Sequence, residues 1–353
     1  MKLNCIDKQK WLEEGFIIQN LKGEYILGQG AFSYGDRACP YSLYHPDFFF
    51  KNKKAWIYPS SICRFDKKHF FDFLFSREKT FKKRSQKSFC LFESSQKPSF
   101  LLYQECFVQA QQAILQGLFQ KVAPAFCETF FNTAPVLNLL KNLFKNTFHF
   151  KQGFLYGFWN RQSGFLGFTP EFLFSMNGNH FSTMALAGTA EQNSPSLFTG
   201  RKELKEHEFV VKGLEKKLTD LTRWKQKKQS EMLFPPLKHL RTDLSGQWLS
   251  SFDFERVCQI LHPTPAVGGY PKEESWLWLK EQRSQKTRSY FASPFAFFES
   301  NARSFCLVAL RALEWDHKES RIFSGGGWIK ESDLQKEWLE LYLKRQQVKS
   351  FFK

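Results

Sequence analysis

Residues 154 to 186 carry two hairpin signatures back to back, and these limit the possible folds more than any other stretch. Phe154 to Trp159 and Phe165 to Phe168 are aromatic-rich runs joined by the polar turn Asn160-Arg161-Gln162-Ser163-Gly164. Thr169-Pro170-Glu171 ends that hairpin. Phe172 to Ser175 and His180 to Leu186 form the next, turned by Asn177-Gly178-Asn179. Further strands are expected at Glu24 to Ile26, Ala55 to Tyr58, Ser289 to Phe298, Ser304 to Leu313 and Arg321 to Ser324. The Pro in Val122 to Phe126 marks an edge or irregular strand. Helical spacing of apolar residues marks 106–119, Val136 to Lys145, 202–222, Ser275 to Arg283 and Glu331 to Lys344. Lys67 to Lys83 reads as either a helix or a basic strand pair. The expected class is α+β, with large antiparallel β-sheets packed as a sandwich and flanking helices. With 42 Phe and only 4 Met in 353 residues, aromatic rings are expected to fill much of the core.

The formal net charge is +17. An excess of this size suits a nucleic-acid surface or attraction of an anionic substrate. The basic runs (Lys51 to Lys54, Lys82 to Lys87, Lys225 to Lys228) are short and scattered, and no nucleic-acid signature accompanies them, so a nucleic-acid partner is not expected. None of the eight cysteines sits in a Cys-x-x-Cys pair, and their dispersion suits reduced thiols. The N-terminus has no apolar signal region, and no apolar run reaches the length of a membrane span. A cytoplasmic protein without a membrane partner is expected.

Glu203 and Glu206 lie three apart on the 202–222 helix and share a face, as do Glu337 and Glu340 on the last helix, with Lys344 four residues further on. Each Glu pair alone is compatible with a solvated helix face. Four carboxylates on two helices also describe a magnesium site, because magnesium takes oxygen ligands and is completed by water and substrate. Gly325-Gly326-Gly327 reads either as an anion-binding run of backbone N–H groups or as a hairpin turn. Arg311, placed mid-strand, either faces outward or turns inward to an anion. His262 before Pro263 either orients a polar group or shapes a turn.

Ordered blocks then carry a resemblance. FLGFTPEFLF, MALAGT, KELKEHEFVV, LHPTPAVGGYP, CLVALRALE, FSGGGWI and EWLELYLK follow one another with compatible spacings. Over residues 106 to 353 the chain resembles the chorismate-utilising enzymes and looks most like isochorismate synthase. The resemblance implies a catalytic core over 106–353 and a variable, β-rich part of the same domain over 1–105. Aminodeoxychorismate synthases carry lysine where this chain has Ala187. The aminating members generally have glutamine at the position of Lys121, and the water-using members have lysine. Salicylate synthases share the lysine but differ from HPTPAVGGYP.

What the resemblance implies is a magnesium-dependent isomerisation of chorismate to isochorismate. Lys121 would act as general base toward a water attacking C2, and Glu171 as general acid toward the departing C4 hydroxyl. Glu206 and Glu340 would bind the metal directly, with Glu203 and Glu337 acting through its water. Ala187, Gly188, Thr189, His262, Arg311, Gly325, Gly326, Gly327 and Lys344 would line or hold the substrate. The product would serve menaquinone or siderophore synthesis, and no glutaminase partner is expected; the oligomeric state stays open. Salicylate synthase is the nearest alternative, ahead of an aminating enzyme or a non-catalytic basic binding protein. Two departures stand out: Phe126 where the family usually has Arg, and Ser293 and Ala296 where it has glycines.

Overall fold

The computed structural model describes residues 6–76 and 91–353. Cys5, Cys90, the Lys82 to Lys87 run and the end of the Lys67 to Lys83 stretch lie outside the described residues.

Two large antiparallel sheets build the molecule. Strand order in the first is Ser61–Phe65, Tyr25–Gln29, Gly15–Gln19, Phe154–Trp159, Gly164–Thr169, Ala312–Trp315, Ser320–Gly325, Ala125–Phe130 and Ser95–Gln96. The second runs Thr222–Gln226, Leu237–Trp248, His180–Glu191, Phe172–Asn177, Arg303–Val308, Pro294–Ser300, Ser42–Tyr44, Trp56–Tyr58 and Ser33–Gly35, with Ser230–Phe234 also paired to Leu237–Trp248. Both predicted hairpins are present. Phe154 pairs with Thr169 and Trp159 with Gly164, and Asn160 Oδ1 closes the turn by accepting from the Gln162 and Ser163 amides at 2.9 Å. Asn177 pairs with His180 across a turn in which Gly178 takes φ 64°.

The sheets pack face to face, as the sandwich expectation requires. Tyr156 and Phe165 of the first meet Phe295 of the second, with ring centroids 5.2 and 5.4 Å apart, inside one continuous buried cluster. The helices Lys67–Phe75 and Val136–Thr147 close the outer face of the first sheet through Phe70, Leu140 and Leu143. Arg201–Leu218 and Phe254–Leu261 cover the second through Val210, Leu214, Leu218 and Val257. A third buried cluster joins Phe100–Leu115 and Leu334–Phe351 to a small sheet of Gly269–Tyr270, Lys121–Val122 and Trp328–Ile329. No helix of the described residues is long and apolar enough to cross a membrane.

Several expected boundaries shift. The stretch from Ser304 to Leu313 is two strands in different sheets, because the chain crosses the sandwich at residues 309–311. The strand expected from Ser289 begins only at Pro294, since Ser289 and Ala292 take φ 40° and 63°, which breaks extended backbone. The helix expected to run to residue 222 ends at Leu218, and Thr222–Gln226 is a strand. The helix expected from residue 106 begins at Phe100, capped by the Ser99 hydroxyl. The expected division between residues 105 and 106 therefore falls inside a helix, and strands from the first hundred residues sit in both large sheets.

Candidate active site

The site forms where the chain crosses twice between the two sheets. Thr169-Pro170-Glu171 leads from Gly164–Thr169 in the first to Phe172–Asn177 in the second. Ala309-Leu310-Arg311 leads back from Arg303–Val308 to Ala312–Trp315. The crossings lie side by side. Thr169 Oγ1 donates to the Val308 carbonyl at 2.8 Å, Val308 N to the Glu171 carbonyl at 3.1 Å, and Phe168 N to the Arg311 carbonyl at 3.2 Å. Arg311 takes φ 55°, a left-handed conformation that costs a non-glycine residue and is held here by its neighbours. Each crossing delivers an ionisable side chain, Glu171 or Arg311, to the wall of one cavity that also touches Glu206, His239 and Lys344.

Glu171 is 3% exposed. Burial raises its pKa to about 8, against the opposing pull of Lys121, Arg311, Thr264 and Lys344. Lys121 is fully buried on the small sheet, paired with Tyr270 and Ile329. Its ammonium faces Glu206 Oε1 at 3.1 Å, an ion-pair distance without hydrogen-bond alignment. Burial lowers the Lys121 pKa, and Glu206 offsets part of that. Arg311 donates from Nε to Gln347 Oε1 at 2.6 Å, and Gln347 is itself fixed on the Phe234 and Pro235 carbonyls. Lys344 Nζ bridges the Gly325 carbonyl at 2.8 Å and Glu340 Oε1 at 2.6 Å.

The carboxylates converge from the two helices. Glu206 and Glu337 share the Lys202 ammonium, at 3.0 and 2.9 Å. Burial pushes Glu206 up, but Lys202 and Lys121 outweigh it and bring its pKa down to about 2. Glu337 is raised to about 7, by burial first and by Glu340 and Glu206 after it, against Lys202. Glu203, Glu337 and Glu340 line an outer groove that meets the cavity at Thr189. Among the described residues, no three His, Cys, Asp or Glu side chains stand close enough to form a metal-ligand set by themselves.

The chorismate binding enzyme family matches residues 54–353. The chain belongs to that family. The salicylate biosynthesis isochorismate synthase of Pseudomonas aeruginosa is 28% identical over 199 residues, 51% of this chain and 40% of that protein. The isochorismate synthase EntC of Escherichia coli is 27% identical over 190 residues, 51% of this chain and 48% of that protein. The matches thus span less than half the length of these relatives. The solved structure of MenF, the menaquinone-specific isochorismate synthase of Escherichia coli, superposes with a TM-score of 0.78 at 18% identity, over 99% of this chain and 92% of that one. At that identity the likeness is one of fold. Within that fold, Glu171 lines the cavity and Lys121 lies behind Glu206 and Gly327 of its wall.

Most of the residues singled out in sequence meet there. Ala187, Thr189, Gly325 and Gly327 touch the cavity. Gly188 sits on a β-bulge between Ala187 and Thr189 with φ 73°, where a methyl group would press on the Glu203 carbonyl. A methyl at Gly327 would run into Glu206 Oε1 and Lys121 Cε, so only glycine leaves room for that ion pair. Gly326 instead faces Leu341 and Glu337. His262 departs from expectation. Its Nε2 pairs with the Phe48 carbonyl at 2.9 Å and its ring packs against Phe48 and Phe50, so it is a core histidine outside the cavity. The histidine on the cavity is His239, cross-strand from Thr189, with Nδ1 3.1 Å from Thr189 Oγ1 and Nε2 buried without a partner. Burial, and then Arg311 and Lys344, keep it neutral. Arg288, buried over the Phe48 ring and bonded to the Ala123 and Val267 carbonyls, also lines the cavity. Sequence reasoning passed over both residues, and over Lys202. Only Lys202 left a signal, its helical i,i+4 spacing to Glu206.

Proposed function

We propose that this chain is an isochorismate synthase that adds water at C2 of chorismate and expels the C4 hydroxyl. One observation carries the reading: Glu171, with a pKa of about 8, lines the cavity, and the buried Lys121, its pKa lowered, sits directly behind Glu206 and Gly327 of the cavity wall. A lysine shifted toward its neutral form and a glutamic acid held protonated are the forms in which a base and an acid are needed. Lys121 takes a proton from water as its oxygen bonds to C2, the ring double bonds shift, and Glu171 gives its proton to the leaving hydroxyl. One water enters and one leaves, so the change is an isomerisation. Arg311 and Lys344 hold the substrate carboxylates, with the Gly325 and Gly327 backbone close by.

The acids fit magnesium. They offer only hard oxygen donors from two helices, and Glu337 Oε2 is buried without a hydrogen-bond partner. Glu206 and Glu340 would bind it, assisted by Glu203 and Glu337, with substrate oxygens and water completing the shell. Bound there, it would draw charge toward the ring carboxylate. With water as nucleophile, the reaction calls for no glutaminase partner, and Ala187 in place of lysine agrees.

The test is incubation of the purified protein with chorismate, with and without magnesium, with products separated by chromatography and pyruvate assayed. Isochorismate without pyruvate, dependent on magnesium, is the expected result. Salicylate with pyruvate would move the assignment to salicylate synthase, and no turnover at any magnesium concentration would end both readings.

A further inference from the structure

Lys202 has no part in the proton transfers above, yet it occupies the centre of the acidic cluster. It lies in the first turn of Arg201–Leu218 and reaches one turn along to Glu206 Oε2 and across to Glu337 Oε1 on Leu334–Phe351. Its side chain is 18% exposed, and those of Glu206 and Glu337 are 8% and 3% exposed. The ammonium thus ties the two helices at the point where their carboxylates converge. Other faces of the cluster also meet lysine nitrogens, Glu206 Oε1 that of Lys121 at 3.1 Å and Glu340 Oε1 that of Lys344 at 2.6 Å. Glu337 Oε2 is buried without a hydrogen-bond partner.

An ammonium and a divalent cation ask the same thing of this pair of acids, and they repel each other strongly at contact range in a buried setting. Magnesium would also draw oxygens to about 2.0–2.1 Å, closer than the 3.0 and 2.9 Å at which Lys202 holds them. We propose that Lys202 is a built-in counter-cation of the metal carboxylates, an alternative to the divalent ion rather than its companion. Lys202 keeps Glu206 and Glu337 from driving the helices apart before metal arrives, and leaves as metal enters. The adjoining groove, lined by Glu203, Glu331 and Asp333, offers the displaced ammonium other carboxylates. Metal affinity in the free protein is then set by how firmly Lys202 holds on. The inference rests on the magnesium reading above.

Calorimetric titration of magnesium alone into wild type and Lys202→Met tests it, together with melting of both proteins in chelator. Lys202→Met is expected to bind magnesium at least tenfold more tightly, to melt lower in chelator, and to regain its melting temperature with magnesium. Equal or weaker binding by the variant overturns the inference and leaves the magnesium reading intact. Binding by neither protein overturns both. Should Lys202→Met not fold, Lys202→Arg provides the second arm. Its planar fork grips carboxylates more firmly and should weaken magnesium binding several-fold, whereas unchanged affinity would overturn the proposal.

Discussion

At the scale of single residues, Glu171 and Lys121 carry the strongest commitments. Replacing either, as Lys121→Ala or Glu171→Gln, should lower kcat by about 10²–10⁴ or more while circular dichroism stays unchanged; near wild-type turnover in either would remove its assigned role. In its proposed role Glu171 works protonated, and with its pKa at about 8 kcat should fall as pH rises through that value. The same proton shapes stability. A carboxyl whose pKa is raised on folding binds more protons folded than unfolded, so the protein loses stability as pH rises from about 4.5 to about 8. Glu171→Gln lacks that loss. Its melting temperature relative to wild type should climb across the window, by the equivalent of a few kcal/mol at most, and a flat difference would show that Glu171 titrates normally. His239 and His262 show where residue-level reading runs out. Nothing in the neighbours of either, Lys238 and Leu240 for His239 or Leu261 and Pro263 for His262, names its role, and cross-strand pairing with Thr189 is what brings His239 to the cavity.

At the scale of elements, the Arg201–Leu218 helix is seated on the strand His180–Glu191 through a close approach at Gly188. Gly188→Ala would both strain a left-handed residue, by about 1–2 kcal/mol, and push on the Glu203 carbonyl. The expected outcome is a lower melting temperature together with weaker magnesium binding, since Glu203 and Glu206 ride on that helix; a change in melting alone would place the strain elsewhere. The hairpins at 154–186 and the five main helices were legible because turn residues and apolar periodicity are local signals. The crossing at Ala309-Leu310-Arg311 was not. Val308, Leu310 and Leu313 are equally apolar whether a strand continues or changes sheet, and Arg311's left-handed backbone leaves no mark in composition.

At the scale of the whole molecule, the sandwich and the site are one construction. Phe295 is fully buried between the sheets against His45, Tyr156 and Phe165. Phe295→Ala should cost about 3–5 kcal/mol of stability, read as a reduced midpoint in urea unfolding. The α+β class, the two carboxylate pairs and their combination as one oxygen-rich metal site were read from spacing and residue type, whereas the choice of Glu206 and Glu340 as direct ligands rested on family resemblance, because nothing local in either helix names its neighbour. Phe126, which departs from the family's usual Arg, is absorbed by aromatic packing, with Tyr103 at 5.2 Å and Trp328 at 6.2 Å.

The paired crossings have a mechanical consequence. Glu171 and Arg311 lie on crossings that each join both sheets, and the two crossings are laced together by hydrogen bonds, Val308 N to the Glu171 carbonyl, Phe168 N to the Arg311 carbonyl and Thr169 Oγ1 to the Val308 carbonyl. If one sheet slides over the other, acid and anchor travel together as a rigid fixture. Lys121 hangs on the small separate sheet, and the carboxylates hang on the helices. On the roles proposed above, drift between those parts would alter how the attacking molecule approaches, and leave the handling of the departing hydroxyl untouched. A lineage could exchange its nucleophile by remodelling the Lys121 wall alone.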